Sequence, residues 1–228
     1  MADSASVPVI AVDGPGGAGK GTICRRVAAR LGWHLLDSGS LYRITAYAAE
    51  QRGRALQDSA AVAEIARSLD VRFVEEAEDV SVIFEEKDIT DLIRTEKAGE
   101  SASIVAADSA VRAALIDRQR AFARPPGLVA DGRDMGSVVF PNAGLKVFLT
   151  ASVAERARRR YKQLKDKGMD VSLPALSKDM EERDRRDSQR AVAPLRACAD
   201  ARVLDSTQLE ISEVVDVVIS WASEVYAV

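Results

Sequence analysis

One histidine and two cysteines are all that 228 residues offer toward a Cys/His metal site. Two cysteines make no disulfide framework, and with His34 alone beside them they supply no Cys/His zinc site. Cys24 and Cys198 are expected as free thiols in a reducing compartment, and His34, behind Trp33 in an apolar strand, as a structural residue. Excess charge of one sign is also missing. Against 32 Lys and Arg stand 35 Asp and Glu, a net charge of −3, which argues against nucleic acid or a membrane surface as partner. No apolar run is long enough to span a bilayer, and the start shows no signal-peptide pattern, so a cytoplasmic protein is expected. Internal repeats and low-complexity tracts are absent, and so is the Asn-Lys-x-Asp segment with which a regulatory GTPase reads guanine.

What is present begins with Asp13-Gly14-Pro15-Gly16-Gly17-Ala18-Gly19-Lys20-Gly21-Thr22. An apolar strand, Val7 to Val12, precedes it, and Ile23, Val27 and Leu31 follow at the spacing of one helix face. Strand, glycine loop and helix N-terminus together make an anion site, because inward-turned N–H groups and the orphan donors of the first helical turn point to one spot. Gly14 to Lys20 fits the G-x-x-x-x-G-K phosphate loop. The usual Ser or Thr after the lysine is displaced by Gly21 to Thr22, so Mg²⁺ contact at Thr22 is expected by way of water.

The rest of the chain reads as strand–helix repeats. Trp33–Leu36, Leu128–Ala130, Lys146–Leu149 and Arg202–Asp205 join the first strand as five candidate parallel strands. Leu41, Ile44 and Ala48 mark one helix, with Asp37 or Ser38 as its cap. Helical spacing from Thr95 through Ile104, Val111, Leu115 and Phe122 predicts one long helix, broken at Arg124-Pro125-Pro126-Gly127. Between 70 and 94 the period changes to two, with Val71 and Phe73, then Val80, Val82 and Phe84, alternating about a turn at Glu75 to Asp79. The expected architecture is therefore α/β: a P-loop core with a five-stranded parallel sheet flanked by helices, residues 1–69 and 95–228, plus a small antiparallel β insertion, residues 70–94. The arginine-rich segment of about 155–190 reads as a helical lid; most of its charges are expected as solvated ion pairs.

The apolar strand ending in Asp131 is the usual partner of a phosphate loop and places a carboxylate in the outer shell of a metal. A motor or transport ATPase usually carries a larger domain, so a small-molecule kinase fits best. A hydroxyl acceptor benefits from a carboxylate base. A phosphate acceptor is already mostly dianionic near neutrality and needs instead cations that hold two anions together, which Arg does through its bidentate fork. Arg43, Arg112, Arg133, Arg183 and Arg190 sit at predicted loop edges or helix ends, and this supply favours a phosphate acceptor.

Four segments carry a resemblance: the phosphate loop, Leu36-Asp37-Ser38-Gly39-Ser40-Leu41-Tyr42-Arg43, Asp131-Gly132-Arg133-Asp134-Met135-Gly136, and Asp187-Ser188-Gln189-Arg190-Ala191-Val192-Ala193-Pro194. Together they make the chain similar, over nearly its whole length, to the bacterial cytidylate kinases among the nucleoside-monophosphate kinases. The resemblance implies phosphorylation of CMP and dCMP by ATP with Mg²⁺, by a monomer. Lys20 and the loop Gly14–Thr22 would hold the donor phosphates. Arg43 and Arg133 would hold the acceptor phosphate, with Ser38, Arg112, Asp134 and Arg190 around the monophosphate and its base. Ser103, Arg183 and Asp187 would lie by the sugar, and Lys20, Arg133 and Arg190 would carry the catalytic charge. Other readings are a kinase of UMP or of a hydroxyl acid or sugar, and a nucleotide-binding protein without turnover.

Overall fold

The structure, a computed structural model, describes residues 7–75 and 80–226. Of the hairpin turn expected at Glu75 to Asp79, residues 76–79 lie outside the described residues. In chain order the elements are β1 (Val9–Asp13), α1 (Lys20–Leu31), β2 (His34–Asp37), α2 (Ser38–Gln51), α3 (Ser59–Arg67), β3 (Val71–Glu75), β4 (Val80–Phe84), β5 (Lys87–Asp88), α4 (Thr90–Ile93), α5 (Glu96–Val105) and α6 (Ser109–Arg120). There follow β6 (Leu128–Gly132), β7 (Leu145–Thr150), α7 (Val153–Asp166), α8 (Leu173–Gln189), β8 (Arg202–Asp205) and α9 (Ile211–Tyr226). They form two compact units, one of residues 1–37 with 119–228 and the other of residues 38–118.

The first unit holds a five-stranded sheet in the order β2-β6-β1-β7-β8, parallel at every pairing. β1 and β6 are buried at all five positions, as the apolar runs Val9–Val12 and Leu128–Ala130 require of strands covered on both faces, and each run is followed by a buried aspartate. Ile23, Cys24 and Val27 of α1 and Val214, Val215 and Val218 of α9 belong to one buried cluster with Ile10, Val12, Val147 and Leu149. Trp33 closes its edge: a β-carbon at Gly127 would stand 2.3 Å from the indole, so only glycine fits beneath that ring. The His34 ring lies 3.0 Å from the Pro125 carbonyl oxygen, a structural contact. Both cysteines are free thiols, Cys24 buried and pushed above its ordinary pKa by that burial.

The second unit packs α2 on α5 and carries the antiparallel sheet β3-β4-β5, whose register pairs Phe73 with Val82 and Val71 with Phe84. The Phe84 ring meets Tyr47 edge to face with centroids 6.1 Å apart. The single long helix expected from Thr95 to Phe122 is replaced by two, α5 and α6, preceded by the short α4. Thr95 accepts the Ala98 N–H and Asp108 accepts those of Ala110 and Val111, so each side chain starts a new helix by satisfying its orphan donors. Among the described residues no helix is long and apolar enough to cross a membrane.

Candidate active site

β1 delivers the chain to the phosphate loop at its carboxyl end, where parallel sheets of this kind bind ligands. Gly14 there has φ +153°, and a β-carbon on it would stand 1.9 Å from the Leu149 carbonyl oxygen of β7. The loop is thus pressed against the neighbouring strand with no room for a side chain. Gly19, at φ +90°, turns the chain into α1 and leaves the first N–H groups of that helix facing the loop.

Lys20 is the first residue of α1 and only 5% exposed. Its Nζ donates to the Pro15 carbonyl at 3.0 Å and lies 3.8 Å from Asp131 Oδ1. Burial and the nearby Arg133 charge bring its pKa down to about 8, while Asp131 holds it up. Burial pushes Asp131 up to about 6; Lys20 opposes this and Asp37 adds to it. A β-carbon at Gly21 would sit 3.7 Å from Asp131 Oδ2, so this carboxylate stands beside the first turn of α1, on which Thr22 is exposed.

Arg133 and Arg183 converge over the loop. A β-carbon at Gly16 would lie 3.5 Å from Arg133 Nη2 and 3.7 Å from Arg183 Nη1, an ordinary contact distance, so the loop tolerates glycine or a small residue there. Arg133 Nε also donates to Asp187 Oδ2 at 3.1 Å. Asp187, expected beside the sugar, is buried and joined to this arginine. Arg190 donates from Nε to the Ala193 carbonyl, and Asp134 is buried at the end of the β6 turn. The remaining expected residues belong to the second unit. Ser38 and Ser103 are buried there, and Arg43 Nη1 donates to the Ile93 carbonyl at 2.6 Å. Arg112 is buried, donates to the Ala106 carbonyl and lies over the Tyr42 ring at 5.9 Å.

The helical pair α7–α8 departs from its expected character at one place. Glu155 receives Arg158 and Arg159 in surface ion pairs at 2.8 and 2.7 Å, as helical spacing predicts. Arg156, in the same run, is 3% exposed. Its guanidinium donates to the Ala151 carbonyl, to the Gly16 carbonyl at 2.9 Å, and to Asp184 of α8. One buried fork therefore ties the two lid helices to the phosphate loop. Asp184 is a quarter exposed and stays solvated when its partner is lost. Arg156→Met should accordingly destabilise by about 2–3 kcal/mol, short of the loss from a fully buried pair. It should also raise KM for ATP, because the Gly16 carbonyl loses its tether. Urea melts and ATP titrations check both; an unchanged melt contradicts the tether.

Asp13 is a second residue that spacing does not single out. It is buried, and its two oxygens accept the N–H groups of Met135 and Gly136 at 2.7 and 2.9 Å. Burial pushes its pKa up to about 6 against the pull of those two bonds.

A phosphate loop on the central strand of a parallel sheet, with a carboxylate behind its lysine and a paired-helix segment bringing arginines over it, defines a P-loop kinase. The sequence profile of cytidylate kinase matches residues 10–224. A cytidylate kinase of Methylococcus capsulatus is 57% identical over 215 residues, covering 94% of this chain and 96% of the relative. One of Pseudomonas aeruginosa is 58% identical over 218 residues, covering 94% of each. One of Aeromonas salmonicida is 54% identical over 217, covering 95% and 94%. The chain belongs to the cytidylate kinase family.

Proposed function

We propose that this chain transfers the γ-phosphoryl group of ATP to the phosphate of CMP or dCMP, giving ADP and CDP or dCDP. An acceptor phosphate oxygen forms the new P–O bond as the bond to the β-phosphate oxygen breaks. The acceptor's second pKa is about 6, so it needs no protein base. It needs relief of repulsion between two anions, and the convergence of Arg133 and Arg183 over Gly16 is the observation that carries this reading. Family membership selects the nucleotide.

The loop amides of Gly14–Thr22 and the Lys20 ammonium are assigned to the donor phosphates. Arg133 and Arg190 are assigned to charge at the transferred group and Asp187 to the sugar, while Arg183, over Gly16 beside Arg133, is assigned to the phosphates as well as the sugar. Asp134 is assigned to the cytosine amino group, which a carboxylate can accept from and which uracil lacks. In the second unit Ser38, Arg43, Ser103 and Arg112 are assigned to the acceptor nucleotide. Asp131, a buried carboxylate beside Lys20, and the exposed Thr22 suit magnesium, Thr22 through water and Asp131 from the outer shell. A bound Mg²⁺ would neutralise β- and γ-phosphate oxygens. A cytoplasmic monomer is part of the same reading.

An ADP-coupled assay with ATP and, in turn, CMP, dCMP, UMP, AMP, GMP and shikimate tests it. CMP and dCMP should lead; preference for shikimate or for a purine monophosphate rejects the reading. Asp187→Ala should weaken CMP more than a 2′,3′-dideoxy acceptor, since a carboxylate accepting a sugar hydroxyl contributes about 1.5–3 kcal/mol. Equal losses on the two acceptors would mean that Asp187 serves only as the partner of Arg133.

A further inference from the structure

We infer that Asp13 is a positioning residue for the acceptor side of the reaction: its carboxylate clamps the turn that carries Arg133 and Asp134 to the first residue of the phosphate loop. The inference rests on the kinase reading above for the meaning of acceptor, and on geometry for the clamp.

Asp13 ends β1, opposite Gly132 of β6 in the parallel register, and Gly14 follows it directly. Its two oxygens take the N–H groups of two consecutive residues, Met135 and Gly136, from a distance of more than 120 positions along the chain. Those amides open a short helical turn over Met135–Val139, whose backbone bonds run from Val139 N–H to the Asp134 carbonyl and from Phe140 N–H to the Met135 carbonyl. They are therefore orphan donors of a helix start, satisfied by a side chain from another strand instead of by a local cap. Asp134, at the cap position, makes no side-chain cap bond. Two parallel N–H groups need two acceptors on one planar group. A carboxylate has them; an amide offers one acceptor and turns a donor against the other N–H. The approach is close as well, since a β-carbon at Gly136 would lie 3.5 Å from Asp13 Oδ2 and 3.1 Å from the Lys146 side chain.

Arg133 and Asp134 are the two residues just before the clamped amides. Their backbone is held from one side by the β6 ladder and from the other by Asp13. A shift in this turn moves the acceptor groups relative to the loop, and misplacement of a reactant by about 1 Å can cost on the order of 10²-fold in rate.

The test has two arms on the full chain. In unliganded wild type, amide exchange of Met135 and Gly136 should be slowed by about 10²-fold or more against unstructured amides. Exchange as fast as that of an exposed loop overturns the clamp, and this result owes nothing to turnover of CMP. In Asp13→Asn, kcat/KM for CMP should fall about 10- to 100-fold, with KM for CMP raised and KM for ATP within about twofold of wild type. Loss shared equally between the two substrates, or no loss, overturns the positioning role. Asp13→Ser, whose Oγ stands one bond short of the carboxylate oxygens, should lose at least as much and serves where the asparagine variant does not fold. Should wild type itself refuse CMP, the kinase reading fails while the exchange arm still decides the clamp.

Discussion

Lys20→Ala is expected to lower kcat by at least about 10²-fold, the cost of removing about 3–4 kcal/mol of charge stabilisation at a transferring phosphoryl group. Its ammonium is held at the centre of the loop by the Pro15 carbonyl and by Asp131, and it has almost no exposure. The alanine variant should still fold, because the loop's shape comes from its glycines and from the press of Gly14 on β7. Lys20→Arg should not restore activity, since a planar fork does not reproduce a buried point charge held by one carbonyl and one carboxylate. Circular dichroism with single-turnover kinetics checks both statements; near-wild-type turnover in either variant defeats the assignment of Lys20.

Arg133→Ala is expected to cost about 10²–10³-fold in kcat/KM for CMP, as loss of an electrostatic donor at the reacting phosphate does. The arginine has two tasks here, one over Gly16 and one with buried Asp187. A double-mutant cycle separates them. If Arg133 acts on the acceptor directly, Arg133→Ala remains strongly deleterious in an Asp187→Ala background. If it serves only to pair Asp187, the second substitution adds nothing to the first. Arg133→Lys should recover little, because a point charge does not reproduce the fork that spans carboxylate and phosphate.

The strands of the first unit were legible because each is short, apolar and closed by glycine or by a charged loop, as β1 and β6 are. The phosphate loop was legible for the same local reason. The break between α5 and α6 was not, although Asp108, which caps the start of α6, stands in it. Ile104, Val111 and Leu115 keep helical spacing across the break, and periodicity alone does not register a change of axis. Arg156 was hidden by its company. A run of arginines and glutamates reads as a wet surface, and the side chain that turns inward differs from its neighbours only in what it meets, the Gly16 carbonyl 140 positions away. Asp13 was hidden differently, inside a motif whose glycines and lysine absorb attention, and its partners lie on another strand.

The division into two units has a spectroscopic consequence. Both tryptophans, Trp33 and Trp221, belong to the first unit, one packed over Gly127 and the other facing Arg202 at 5.3 Å. The second unit, residues 38–118, has only the tyrosines Tyr42 and Tyr47 as hydroxylated chromophores. Tryptophan emission in a denaturant melt therefore follows one unit and is blind to the other, while far-ultraviolet dichroism sums the helices of both. Coincident transitions by the two probes would mean that the chain melts as one cooperative body. A dichroism change that runs ahead of the emission would be the second unit unfolding in the dark.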